Sequence, residues 1–187
     1  MNNAKRHLEM PTLEGERLIL RKIILDDAPD IFEYAHMPEV AEFLPWFPHQ
    51  TIQDSIDFIK FAEEKFASDE WIILGIELKE NRKLIGSIDI RGWNSVNNYA
   101  DIGYVISKNF WGKGIMTEAL KAVIKYCFDE LRLNRIEAHC EEANIGSWKV
   151  MEKCGMKNEG TLREKIFVKN RYRSMKMYSI LRSEYIK

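Results

Sequence analysis

Residues 102–119 read Ile-Gly-Tyr-Val-Ile-Ser-Lys-Asn-Phe-Trp-Gly-Lys-Gly-Ile-Met-Thr-Glu-Ala, and no other stretch constrains the fold as tightly. An apolar, β-prone run passes through a loop carrying Gly112, Lys113 and Gly114 straight into a long amphipathic segment. Glycines let backbone N–H groups approach a ligand closely, and the first turn of a helix leaves several N–H groups unpaired. The helix dipole favours an anion at that end, and Lys113 adds a point charge. In physical terms this is a cradle for a phosphate or pyrophosphate; the alternative is a plain helix start whose glycines only make a tight turn. A P-loop is excluded, because no glycine lies five positions before Gly112. The dinucleotide fingerprint G-x-G-x-x-G fails at Thr117, where its third glycine would stand.

The elements around this segment alternate in type, which favours a sheet with helices packed on it. Strands are expected at Leu18–Ile23, Trp71–Leu78, Leu84–Trp93, Tyr99–Ser107, Arg135–Cys140, Thr161–Val168 and Ser174–Leu181. Asp26 offers an N-cap to a helix containing Pro29, Ile31, Tyr34 and Ala35. Thr51 and Asp54 resemble a capping box opening a helix with the stripe Ile52, Ile56, Ile59, Ala62 and Phe66. Met116–Leu131 is the clearest helix, and Gly146–Lys153 is a shorter one stopped by Gly155. Asn94–Asn98 reads as the turn inside a three-strand meander, and Lys169 and Asn170 as the turn of a closing hairpin. Between Met37 and His49, three prolines forbid regular structure, while Phe43, Leu44, Trp46 and Phe47 make the loop unusually aromatic. Such a loop packs as a lid or lines a pocket.

Function classes narrow further on charge and cysteine count. With 28 basic and 29 acidic residues the net charge is −1, so no global field holds nucleic acid. Apolar stretches such as Trp71–Leu74 fall far short of the roughly 20 residues that cross a bilayer. The polar start from Met1 to Glu16 has no signal-peptide run, and a cytoplasmic location is expected. Cys127, Cys140 and Cys154 form no C-x-x-C pair, and His7, His36, His49 and His139 are scattered, so neither disulfides nor a metal site are expected.

The glycine loop resembles the acetyl-CoA-binding motif of the GNAT acetyltransferase superfamily, Gln/Arg-x-x-Gly-x-Gly/Ala. Trp111, Gly114 and Met116 occupy its defining positions, two of them departing from the pattern. Trp-Gly-Lys-Gly followed by Thr-Glu-Ala is similar to one branch, the RimJ/RimL-type N-acetyltransferases, which acetylate the N-termini of ribosomal proteins. The resemblance extends through Arg17–Arg21 with Asp26-Asp27-Ala28, Leu44-Pro45-Trp46, Asn144–Ser147, Glu152–Met156, Gly160–Glu164 and Asn170–Arg173. It implies an α+β (mixed α/β) GNAT fold spanning residues 1–187 as a single domain. That fold has a mostly antiparallel sheet of six or seven strands flanked by about four helices.

The same resemblance implies acetyl transfer from acetyl-CoA to a primary amine, by direct attack in a ternary complex. A protein N-terminus is the leading acceptor; a small-molecule amine, or a non-catalytic acyl-CoA-binding module, is the alternative. By resemblance, backbone groups of Val105, Ile106 and Ser107 hold the pantetheine arm. Those of Trp111, Gly112, Lys113, Gly114, Ile115, Met116 and Thr117 hold the pyrophosphate. Asn144 is implied to bond the pantetheine and Ser147, on the same helix face, to protonate the departing thiolate; helix capping is the other role open to both. Met151 stands where many members place a tyrosine acid, and Ser174 where many place an acidic residue. Candidate bases are Glu77, Asp89, Asp101, His139 and Glu141, the last two sharing a strand face. His139 and Cys140 point to opposite faces and form no dyad. Trp46 and Phe47 are candidate acceptor contacts, with Glu39, Glu42 and Asp54 nearby to attract a cationic amine. The closing hairpin offers an edge at which a homodimer could pair.

Overall fold

The computed structural model describes residues 9–69, 71–94 and 96–185. His7 and Ser95, the latter inside the expected 94–98 turn, lie outside the described residues. Eight strands form one sheet: β1 (Leu13–Glu14), β2 (Leu18–Lys22), β3 (Trp71–Leu78), β4 (Leu84–Asn94), β5 (Tyr99–Ile106), β6 (Arg135–Glu141), β7 (Lys157–Val168) and β8 (Arg171–Leu181). Their spatial order is β1-β2-β3-β4-β5-β6-β8-β7, and among the described residues only β5 and β6 run parallel. The helices are α1 (Ala28–Ala35), α2 (Pro38–Ala41), α3 (Ile52–Ala67), α4 (Ile115–Asp129), α5 (Ile145–Lys153) and α6 (Arg182–Tyr185). The sheet thus has one strand more than expected. The two-residue β1 and the single-turn α2 and α6 are too short to leave a periodic signature.

Local chemistry explains the boundaries. At the start of α1 it is Asp27, not Asp26, that organises the turn: its carboxylate accepts the Ile24 N–H at 2.8 Å and both terminal nitrogens of Arg21 at 2.8 Å. Asp54 accepts the backbone N–H groups of Gln50 and Thr51 at 2.8 Å, so the expected capping interaction at α3 is present. Within the proline-rich segment, Pro38 occupies the first turn of α2, where its missing N–H costs nothing, so one helical turn forms despite the prolines.

Two cores sandwich the sheet. On one face α4 buries Leu120, Val123, Ile124 and Phe128 against Ile88, Ile102 and Ile136. On the other, Ile31 and Tyr34 of α1 and Ile59 and Ala62 of α3 meet Ile73 and Leu84. Side chains this fully buried contribute about 1.5–3 kcal/mol each relative to exposure. Of the expected α3 stripe, Ile52 at 43% exposure stays outside the core.

The break in the sheet positions everything that follows. β5 pairs with β6 only over Tyr99–Ile102, while its pairing with β4 continues to Ile106. Beyond Ile102 the two parallel strands part. At the mouth of this gap a Cβ on Gly86 would meet the Val105 carbonyl at 2.3 Å, so a glycine lets the end of β5 press against β4.

Candidate active site

A cavity of about 390 Å³ opens beside the end of β5, where that strand has parted from β6. One wall is Tyr104, Val105 and Ile106; the far wall is α5, with Asn144 to Ser147 and Val150; one end is the glycine loop, with Trp111, Gly112, Gly114 and Thr117, and the other is α2 with Phe43 and Leu44.

Strand pairing decides which backbone groups face the gap. The Ser107 N–H donates to Ile85 at 2.8 Å, and residues directly opposite alternate from there. The backbone groups of Val105 and Ser107 therefore turn toward β4, and those of Tyr104 and Ile106 toward the gap. Of the expected Val105, Ile106 and Ser107, the ladder turns the Ile106 N–H, with that of Tyr104, toward the cavity, while Val105 lines it and Ser107 bonds β4. The Ile106 carbonyl accepts the Trp111 indole N–H at 3.0 Å, folding that ring back over the strand end. The Trp111 backbone N–H bonds Lys108 at 3.1 Å, so Trp111 contributes its side chain rather than its amide to the cradle.

Gly112 and Gly114 both take left-handed backbone, at φ of 74° and 76°, and Gly114 is the N-cap of α4. The first intrahelical bond runs from the Glu118 N–H to the Gly114 carbonyl at 3.1 Å, leaving the N–H groups of Ile115, Met116 and Thr117 without helical acceptors. The side chains of Ile115 and Met116 are buried in the core, so only their backbone addresses the loop. Arg17 braces the turn, donating to the Lys113 carbonyl at 3.0 Å and to Glu118 at 2.8 Å. The Lys113 ammonium lies 5.2 Å over the Phe110 ring. Lys149 and Lys153 of α5 also border the cavity. The N-terminus of α4 and these lysines favour an anion at this end.

Asn144 caps α5, its side-chain oxygen accepting the Ser147 N–H at 3.1 Å. The Ser147 hydroxyl lies 3.0 Å from the Tyr104 hydroxyl, which donates to the Ser147 carbonyl at 2.9 Å. Burial pushes the Tyr104 phenol far above its ordinary range, so it keeps its proton at any physiological pH. Sequence reasoning missed this tyrosine. It sits inside an apolar strand, and only the parting of β5 from β6 turns it into a cavity wall.

The candidate bases separate into three environments. Glu77 is buried between Arg21 and Arg82 in an ion network, and none of the five candidate bases is among the residues lining the cavity. Glu141 is bonded by Arg173 at 2.5 Å and approached by Arg171 at 3.4 Å, so its carboxylate serves as a counter-ion. Asp89, Asp101 and His139 gather with Arg91 on the sheet face that carries α3. The His139 Nδ1 lies 3.1 Å from Asp101, which also accepts from Arg91 at 2.9 Å. Gly103 leaves the room they need, since a Cβ there would lie 2.7 Å from Asp89. Burial pushes the Asp89 carboxyl up to about 6.

Trp46 and Phe47 do not reach the cavity. Trp46 packs on the α1–α3 core, and Phe47 is 70% exposed beneath the Lys169 ammonium. Phe43, Leu44 and Glu39 take the expected wall position instead, and Glu39 pairs with Lys108 at 2.7 Å. Cys127, Cys140 and Cys154 are buried free thiols, and no metal-binding cluster occurs among the described residues. No helix among the described residues is long and apolar enough to cross a membrane.

Comparison with known proteins bears on the family and the fold. A family model described as an acetyltransferase (GNAT) domain matches residues 17–157. An N-acetyltransferase of Bacillus licheniformis, p20, is 35% identical over 176 residues, covering 94% of this chain and 99% of its own length. A Bacillus subtilis protein named as a ribosomal N-acetyltransferase, YdaF, is 38% identical over 113 residues, 59% of this chain and 62% of its own. The crystal structure of a GNAT-family acetyltransferase from Bacillus anthracis superposes with a TM-score of 0.83 at 29% identity, covering 93% of this chain and all of the other.

Proposed function

The chain belongs to the acetyltransferase (GNAT) family, and from that premise we propose that it transfers the acetyl group of acetyl-CoA to a protein N-terminal α-amine, with residues 1–187 acting as one cytoplasmic catalytic domain. The observation that carries this reading is the cavity itself. It runs from the anion-favouring glycine loop, past an open strand edge, to an apolar wall at α2. A phosphorylated, amide-rich co-substrate matches that sequence of surfaces. The glycine loop and the N–H groups of Ile115, Met116 and Thr117 suit a pyrophosphate, and Ile106 and Tyr104 suit a pantetheine arm lying as an added strand. The ribosomal name of the B. subtilis relative supports a protein N-terminus as the acceptor.

In this reading the Ile106 N–H polarises the thioester carbonyl, an oxyanion-type interaction. Ser147 donates a proton to the departing thiolate, with the Tyr104 hydroxyl, 3.0 Å away, backing it. Asn144 holds the α5 turn that presents Ser147. The attacking amine enters from the α2 side and loses its proton, directly or through water, to His139, whose ring Asp101 orients.

The experiment is an acetyl-CoA consumption assay on serine- and alanine-initiated hexapeptides, with spermidine and free amino acids alongside. Turnover of peptides with a free α-amine, abolished by blocking that amine, is the expected result. Turnover of spermidine alone would transfer the acceptor to the small-molecule class. Binding of acetyl-CoA without turnover on any amine would leave a binding module.

A further inference from the structure

The α2 wall of the cavity is held from the far end of the chain. Arg173 of β8 is 4% exposed, and its guanidinium donates to the Glu42 carbonyl at 3.0 Å and to the Glu141 carboxylate at 2.5 Å. Lys169, at the tip of the same hairpin, donates to the Ala41 carbonyl at 2.6 Å and lies 5.3 Å over the Phe47 ring. Ala41 and Glu42 end α2; the Ala41 carbonyl accepts the Leu44 N–H at 3.0 Å as well as the Lys169 ammonium. A single turn such as α2 has no stability of its own. The residues immediately after it, Phe43 and Leu44, line the cavity. A buried arginine is costly unless its charge is answered, and Glu141 answers it from β6, the strand that forms the other side of the gap.

We propose that Arg173 and Lys169 are positioning residues for the acceptor, a two-point clamp that fixes the Val40–Leu44 wall against the cavity. This rests on the reading that the amine enters along that wall. The clamp joins β6, β8 and α2, and so couples the width of the gap to the place of the wall without touching the glycine loop.

The test uses the full chain with Lys169→Met, Arg173→Met, Arg173→Lys and, as a wall control, Phe43→Ala. Amide hydrogen exchange is followed over residues 38–49 and 112–117, acetyl-CoA affinity is measured by calorimetry, and kinetics use a serine-initiated hexapeptide. Lys169→Met and Arg173→Met should speed exchange across 38–49 at least tenfold, leave 112–117 and acetyl-CoA affinity within twofold, and raise the peptide KM about tenfold. Arg173→Lys should recover most of the loss. If Arg173→Met does not fold, Lys169→Met, on the hairpin tip, carries the same expectation. Unchanged exchange over 38–49 in a folded Lys169→Met variant would overturn the clamp. An equal loss of acetyl-CoA affinity would overturn it too, by showing a general defect. If Phe43→Ala shifts the peptide KM and the clamp variants do not, the clamp falls and the entry route stands. If neither shifts it, both fall.

Discussion

At the scale of single residues, the sharpest features are pairs whose chemistry follows from burial. Ser147 and Tyr104 share hydrogen bonds at the cavity wall, and the phenol stays protonated there. Replacing Ser147 by Ala should lower kcat by about 10²-fold, the low end of general-acid contributions, while acetyl-CoA affinity stays within twofold. Tyr104→Phe should produce a smaller kcat loss, because it removes the partner and not the donor; steady-state kinetics with calorimetry separates the two. Asp89 gives a pH-dependent prediction. Its folded value of about 6 lies above the ordinary 3.8, so the folded protein holds a proton that the unfolded chain releases. Stability from this group is complete below pH about 4 and is lost as pH rises through about 6. Asp89→Asn, which mimics the protonated form, should match the wild type in denaturant unfolding at pH 4 and exceed it by about 1–2 kcal/mol at pH 7.5.

At the scale of elements, the parting of β5 from β6 depends on backbone geometry that particular glycines permit. A Cβ at Gly86 meets a carbonyl rather than a flexible side chain, so Gly86→Ala must push β5 off β4. It should cost about 2 kcal/mol or more in thermal unfolding and weaken acetyl-CoA binding with it. At Gly114 the left-handed N-cap is the cost: Gly114→Ala should destabilise by about 1 kcal/mol and disturb the cradle. These elements differ in how legible they were. The core face of α4 follows from apolar period, because the Leu120–Val123–Cys127 stripe repeats at helical spacing. Strand β3 follows from a short, β-branched apolar run, Trp71–Leu78, too short for a core helix and buried on both faces. The glycine turn before α4 was legible from Gly112 and Gly114 themselves, while its reading as a cradle rested on the family resemblance. The acceptor side was not. In the proline-rich loop no period tells which aromatics point inward, and the hairpin contacts that turn Phe43 and Leu44 in and Phe47 out are distant in sequence. The pairing of Glu141 with Arg173 was hidden for the same reason, since Arg173 lies on another strand.

At the scale of the whole molecule, the sheet is an antiparallel frame with one parallel contact, and the site sits where that contact ends. The N-terminus of α4 lines one end of the gap, α5 runs along its wall, and the hairpin-held α2 lines the other end. The molecule's net charge of −1 gives no general attraction for anions, so this local geometry has to supply it. A ligand that binds only the folded chain should raise its stability: acetyl-CoA at a hundredfold excess over its Kd should add about 2.7 kcal/mol, or about 5–10 °C in Tm. The most direct test is a calorimetric titration of the full chain with acetyl-CoA. One-site, saturable binding that Gly114→Ala weakens is the predicted result. Absence of binding would contradict the account, reducing the glycine loop to a helix start and the cavity to a gap in the sheet.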